Sequence, residues 1–180
     1  MRIRRVNFFG GPGVGKSSIA CHTFAELKAL GCSVEYVYEQ IKLWTYVPRP
    51  PKSWDSFYMQ ARQIYFEDTI LRSGTDLIVS DSPVFLQWFY ARHHVAPGQD
   101  AMFMSGREFE TIYPSLNILL TRPEDVDYQA EGRYEDHEQA KTVDAALKEL
   151  LSDIAYITFK EFSYRNREEI VAYVKKKLEL

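Results

Sequence analysis

At 180 residues the chain suits a single domain, residues 1–180, and its apolar fraction of 46% and charged fraction of 26% are those of an ordinary soluble globular protein. A net charge of −3 provides no global field to draw it onto nucleic acid or anionic membrane. Its only cysteines, Cys21 and Cys32, form neither a C-x-x-C pair nor a His/Cys cluster, which argues against a zinc site or disulfide framework and for a reducing compartment.

The N-terminal MRIRRVNFFGG is too short in its apolar part for a secretory h-region, and no run approaches the length of a membrane span. A soluble, cytoplasmic protein is therefore expected, without a membrane partner. Short apolar runs alternate with helical-period segments, the pattern of a parallel sheet wrapped by helices. Strands are predicted at Ile3–Phe9, Ser33–Tyr38, Asp76–Ser80, Leu116–Leu120 and Ile154–Phe159. Helices are predicted at Lys16–Leu30, Ser56–Arg72, Val84–His93, Arg107–Ile112, Asp136–Leu151 and Arg165–Lys177. The proline-rich YVPRPPKS (residues 46–53) reads as a loop, and residues 121–136 as an irregular segment before a long amphipathic helix.

The first strand runs into Gly10-Gly11-Pro12-Gly13-Val14-Gly15-Lys16-Ser17, a complete G-x-x-x-x-G-K-[ST] phosphate loop. Its glycines let backbone N–H groups approach phosphate oxygens, and the helix that follows adds its positive dipole end. The loop, with Ser18, should hold a nucleoside triphosphate, most simply ATP. Lys16 would reach the β- and γ-phosphates, and the Ser17 hydroxyl would ligate Mg²⁺. The run LIVSDSP (residues 77–83) delivers Asp81 to the C-terminal end of a buried strand, where ligands collect in open parallel sheets. Asp81 should position Mg²⁺ or its waters, the plainer alternative being a cap on the next helix.

Other users of such loops fit poorly. No N-K-x-D or D-x-x-G sequence is present for a guanine switch, and too little chain follows the last strand for the helical domain of a motor. A compact phosphotransferase remains, an α/β domain with a five-stranded parallel sheet and a lid over residues 121–136, and its resemblance to P-loop kinases implies three layers and the strand order 2-3-1-4-5. Glu39, ending the second strand, is the candidate base for the acceptor hydroxyl, the alternative being a solvated strand-end acid. In the lid, Arg133, flanked by Gly132 and Tyr134, is the preferred arginine for the γ-phosphoryl. Arg122 comes second and is suited to stack on adenine. The seven acids from residue 122 to 138 make this segment a poor partner for a nucleic-acid backbone.

Between Glu39 and Arg62, Trp44, Tyr46, Trp54, Phe57 and Tyr58 alternate with Lys42, Arg49, Lys52 and Arg62, as a base-stacking, phosphate-holding surface would. Phe57, Met59 and Ile64 are also placed for the core of their helix. His93-His94 read as surface residues near a helix end, Lys175–Lys177 as a solvated helix terminus, and Arg2, Arg4 and Arg5 as bland residues at the far end of the sheet.

On these residues the chain resembles two groups. Glu39-Gln40-Ile41-Lys42-Leu43-Trp44 is similar to the E-P-x-x-x-W stretch of deoxynucleoside kinases, and FYMQARQ (residues 57–63) to the helix whose glutamine reads the base there, with Gln60 at the matching position. Asp81-Ser82-Pro83 stands where that family carries D-R-S, so Gln40 and Ser82 are departures. The order FFGGPGVGKS, E-x-x-K-x-W, LIVSDSP, G-R-Y also resembles small AAA-like ATP-binding kinases of bacteriophages. The resemblance implies transfer of the γ-phosphoryl of ATP to a nucleoside or nucleotide, with Trp44, Tyr58, Gln60 and Arg62 at the acceptor. It equally admits a 5-hydroxymethylpyrimidine base within DNA, placing the protein in the host cytoplasm if phage-encoded. A nucleotide-binding regulator that hydrolyses ATP slowly is the rival of another class, and a homodimer is left open.

Overall fold

The computed structural model describes residues 2–46, 49, 51–123 and 134–180. Five parallel strands, β1 (Arg5–Phe9), β2 (Val34–Val37), β3 (Leu77–Ser80), β4 (Ser115–Thr121) and β5 (Phe159–Ser163), form one sheet in the order β2-β3-β1-β4-β5, as expected. The helices are α1 (Lys16–Ala29), α2 (Lys42–Thr45), α3 (Asp55–Arg72), α4 (Val84–His93), α5 (Gln99–Ile112), α6 (His137–Asp153) and α7 (Arg167–Leu178). Val6 and Phe8 of β1 face a core shared with α1 and α7, while Phe9 faces a second core with α4, α5 and α6. This is the alternation of a strand covered on both faces. Among the described residues no helix is long and apolar enough to cross a membrane.

Four elements differ from expectation, each for a physical reason. The last strand is Phe159–Ser163 instead of Ile154–Phe159. Ile154 and Ile157 turn into the second core straight after α6, and the edge strand that follows exposes Lys160 and Glu161. α5 begins at Gln99, because Gly98 takes a left-handed backbone (φ 83°) at its start and Met102, Gly106 and Phe109 share a buried face. The short α2 had no apolar period to announce it. In α3, Met59 is buried and Ile64 half-buried, but Phe57 is 36% exposed; the buried face is largely polar, with Ser56, Gln60, Gln63 and Glu67.

Arg5 is no bland surface residue. It is 1% exposed inside β1, paired with Glu67 (3.4 Å) and Glu110, and its guanidinium lies 4.7 Å from the Phe109 ring centroid. Arg4 donates to the carbonyls of Leu71, Thr75 and Asp76, which ties β1 to the end of α3. One strand earlier than the phosphate loop, the chain thus spends two arginines on structure.

Candidate functional site

Every candidate residue the structure places near the phosphate loop sits beyond the C-terminal end of a strand or on a helix facing it, as the sheet topology requires. Gly10, Gly13 and Gly15 have positive φ (148°, 73° and 98°), so the loop's path needs glycine at those positions. Gly15 is the N-cap of α1, and neither a side-chain cap nor a first-turn acid occupies the helix's free N–H groups. Such uncapped groups can receive an anion. Tyr164, just after β5, lies against Gly15.

Lys16 is buried and donates to the carbonyls of Gly10 (2.8 Å) and Gly11 (2.9 Å), curling over its own loop. Burial lowers its affinity for a proton, while Glu39, Asp81, Asp144 and Glu135 pull it back up. The ammonium therefore sits at the focus of an acidic ring. Ser17 follows in the first turn of α1, half-buried, and Ser18 is exposed.

Asp81 is 2% exposed. Its Oδ2 accepts from the Tyr36 hydroxyl at 2.8 Å, and its Oδ1 is buried without a hydrogen-bond partner. A cap role is not seen: the N-cap of α4 is Pro83, with no side-chain cap bond. Burial, then the neighbouring Asp81 charge and hydrogen bond, push the Tyr36 phenol far above its ordinary range, so it stays a donor. Ser80 and Ser82 flank Asp81; Gln63 donates to Ser80 Oγ (3.3 Å) and Gln87 to Ser82 Oγ (2.9 Å). Where the resembled kinases carry arginine, this chain has a fully buried serine tied to α4.

A buried carboxylate oxygen with no protein donor fits a hard cation or its waters. The protein's share of such a shell would be the Ser17 hydroxyl and Asp81, with substrate phosphates completing it. Among the described residues no group of three or more His, Cys, Asp or Glu forms a ready cage.

Glu39 stands two residues beyond β2. It is partly open to solvent, yet protein surrounds it closely enough that desolvation, reinforced by Asp81 and Glu135, raises its carboxyl above the usual carboxylate range; Lys16 and Lys42 oppose the rise. The structure thus brings Lys16, Glu39 and Asp81 into one electrostatic unit. Arg122 is engaged at the loop's other side: Nε donates to Asp144 Oδ2 at 2.9 Å, and Nη2 donates to the Pro12 carbonyl. Arg133 and Gly132 lie outside the described residues.

The acceptor candidates do not converge. Gln60, 1% exposed, donates to the carbonyls of Val84 (3.2 Å) and Met102 (3.1 Å), joining α3 to α4 and α5. Tyr58 and Arg62 pair with each other (3.2 Å) on the exposed face of α3. Trp44 lies under the Arg49 guanidinium at 3.8 Å, and Arg49 also pairs with Asp55 at 3.1 Å. The Tyr134 hydroxyl donates to the Arg49 carbonyl at 2.9 Å, so the chain just before α6 touches the segment between α2 and α3. Trp54 packs on Gly98 and edge-on to Phe57 (5.7 Å). Two open depressions, of about 420 Å³ against α7 and about 400 Å³ between α3 and α5, are lined by none of these residues.

Sequence reasoning missed Tyr36, Glu135, Asp144 and Tyr164. Tyr36 alone carried a signal, because strand alternation puts it one residue before Val37 on the opposite face. Glu135 lay among the acids read as one repelling segment, and Asp144 looks like any polar residue of an amphipathic helix.

The sequence matches the AAA domain family over residues 5–167. No curated protein matches it. Among solved structures it is similar to NadR protein in complex with NR (12% identity, TM-score 0.76) and NadR protein in complex with NAD and AMP-PNP (10%, 0.74). Each match covers 99% of this chain, which spans 52% and 50% of those NadR chains, about half their length. It is also similar to a mutant of the APS kinase CysC of Mycobacterium tuberculosis (15% identity, TM-score 0.52), with 99% of both chains covered. At these identities the likeness is one of fold, a P-loop kinase-like α/β fold.

Proposed function

We propose that the chain, which belongs to the AAA domain family, is an ATP-dependent phosphotransferase acting on a nucleoside or nucleotide. The observation that carries the reading is the grouping of Lys16, Glu39 and Asp81, with an unpartnered Asp81 oxygen, over an uncapped helix N-terminus. Glu39, confined beside the loop, is the group that a transfer reaction would use as its base. The likeness in fold to NadR, solved with NR and with NAD and AMP-PNP, and to the APS kinase CysC supports a small phosphoryl acceptor.

In this reading the loop N–H groups and Lys16 hold the β- and γ-phosphates. Mg²⁺, when bound by Ser17 and Asp81, supplies charge neutralisation to the phosphates. Tyr36 fixes the Asp81 carboxylate by its 2.8 Å hydrogen bond. Glu39 accepts the proton of the acceptor hydroxyl as its oxygen bonds to the γ-phosphorus. The bond from that phosphorus to the β–γ bridging oxygen breaks, and ADP leaves with the electron pair. Glu39's raised proton affinity makes it a stronger base than a solvated carboxylate once ionised. Arg133 is the proposed partner of the transferring phosphoryl, and its removal should lower turnover without weakening ATP binding.

A second reading, phosphorylation of a 5-hydroxymethylpyrimidine in DNA, is favoured by one observation. Tyr46, Trp54 and Tyr58 are exposed by 68%, 56% and 52%, with Arg62 paired to Tyr58 and Arg49 over Trp44, more aromatic surface than one small base needs.

The test is incubation with γ-labelled ATP and Mg²⁺, offering deoxynucleosides and their monophosphates beside DNA with and without 5-hydroxymethylpyrimidines. Label on a nucleoside or nucleotide is the expected result. Label on modified DNA would transfer the conclusion to the second reading. Label appearing only as free phosphate would refute both and leave a hydrolysing regulator.

A further inference from the structure

We propose that Asp144, in the middle of α6, is the positioning residue of the phosphate loop. This rests on the ATP-binding reading above and names a residue that the loop motif does not contain. One oxygen of its carboxylate bonds to the loop directly and the other reaches it through Arg122. Oδ1 accepts the Gly11 N–H at 2.8 Å, and Oδ2 accepts Arg122 Nε at 2.9 Å, while Arg122 Nη2 donates to the carbonyl of Pro12. Successive residues of the loop are therefore held at a donor and at an acceptor by one ion pair. The pair is well covered: the Arg122 and Asp144 side chains are 8% and 23% exposed.

Gly11 gives independent support. Unlike Gly10, Gly13 and Gly15, it is not among the residues with positive φ, so its backbone does not demand glycine. A Cβ there would run into Asp144 Oδ1 and come within 3.2 Å of the Ala140 carbonyl. The second glycine of the loop is there to admit the carboxylate and the backbone of α6. Geometry at residue 11 and identity at residue 144 are thus two halves of one contact.

The consequence is preorganisation. A phosphate loop is a run of flexible residues whose ordering would otherwise be charged against nucleotide affinity. Asp144 fixes the entry of the loop before the phosphates arrive, using charge-assisted hydrogen bonds. It also aims Arg122 at the loop backbone instead of leaving it to solvent. Asp144 touches neither donor nor acceptor in this arrangement; it acts through Gly11, Pro12 and Arg122.

The experiment measures Mg·ATP affinity by calorimetry, and melting temperature alongside, for the full chain and for Asp144→Ala, Asp144→Asn, Gly11→Ala and the Gly11→Ala/Asp144→Ala double variant. Removing charge-assisted bonds that shape the site should weaken Mg·ATP on the order of tenfold in Asp144→Ala. Asp144→Asn should fall between, since its Oδ1 can still take the Gly11 N–H while its amide N–H₂ opposes Arg122 Nε–H. Gly11→Ala alone should weaken binding at least as much. The decisive readout is coupling: the double variant should bind only slightly worse than Asp144→Ala, far short of the sum of the two single losses, because the collision with Oδ1 has gone and only the 3.2 Å approach to the Ala140 carbonyl remains. A merely structural role would lower melting temperature without that non-additivity in affinity. If the wild type binds Mg·ATP and Asp144→Ala binds equally well, or if the two positions add independently, the proposal is overturned while the ATP reading stands. If the wild type does not bind Mg·ATP, both fail. Should Asp144→Ala be too unstable to purify, Arg122→Gln reads the same clamp from its other member, and unchanged affinity there would overturn it equally.

Discussion

Replacing Tyr36 with Phe should destabilise the protein by about 1.5–3 kcal/mol, the worth of a hydrogen bond to a charged group whose loss strands that group in the interior. The estimate rests on three features. The hydroxyl–Asp81 distance is 2.8 Å, Asp81 is 2% exposed, and its other oxygen already lacks a partner. The ring itself is retained, so its tilted contact with Phe24 (6.1 Å between centroids) should persist and no cavity opens. For a chain of this length the loss corresponds to a fall in melting temperature of about 3–12 °C. Calorimetric or circular-dichroism melts at neutral pH measure it. The pH dependence has a definite sign. Because the folded-state phenol is raised above its ordinary value of 10.0, Tyr36's contribution is complete below that pH and is lost as pH rises above it. The gap between wild type and Tyr36→Phe should therefore narrow only in strongly alkaline solution. A change under about 0.5 kcal/mol at pH 7 would refute the idea that this hydroxyl is what satisfies Asp81.

Glu39→Gln should cut phosphoryl transfer by about 10²–10⁴-fold while ATP binding survives, measured by turnover and by calorimetry. The same variant should melt higher than wild type at neutral pH. Desolvation raises the folded-state pKa, so wild-type stability is fully present below the unfolded value of 4.5 and declines as pH climbs through the folded one. Below pH 4.5 the two proteins should converge. Arg5→Met should cost about 3–5 kcal/mol in denaturant unfolding, because Glu67, fully buried, and Glu110 lose their countercharge; a cost below about 1 kcal/mol would mean the pair is not formed in solution.

How much of this was legible depended on whether a residue announced itself locally. The phosphate loop did, since its glycine spacing, its lysine and the start of the following helix all fall within a few consecutive residues. Asp81 did, because an acid closing a buried run has few reasons to be there. The parallel sheet followed from alternation, whereas the strand order came only through the resemblance to P-loop kinases. The last strand misled because its apolar residues, Ile154 and Ile157, serve a helix-packing core, while the real edge strand is charged. Gln60 was matched to a base reader through the resemblance to deoxynucleoside kinases, and a sequence match could not show that its amide spans two carbonyls of neighbouring helices. Arg5 and Asp144 were illegible because their partners are far off in sequence, 62 and 133 residues away. No local pattern encodes a contact of that span.

The charges around the loop decide what form of nucleotide it will accept. Glu39, Asp81, Asp144 and Glu135 all act on Lys16, and the guanidinium of Arg122 is already paired to Asp144. A bare triphosphate entering this ring would meet more negative than positive charge in a partly buried site, where repulsion is only weakly screened. A divalent cation reverses the balance, and the unpartnered Asp81 oxygen gives it a place to be held. The affinity for ATP should accordingly fall on the order of tenfold or more when magnesium is replaced by EDTA. Asp81→Asn should shrink that difference from both ends, weakening Mg·ATP and strengthening metal-free ATP, because it removes a ligand in one case and a repulsive charge in the other. Calorimetric titrations of both proteins in both buffers measure the cycle. Equal affinities with and without magnesium would show that backbone N–H groups and Lys16 alone hold the phosphates, and that the acids belong to the acceptor's chemistry instead.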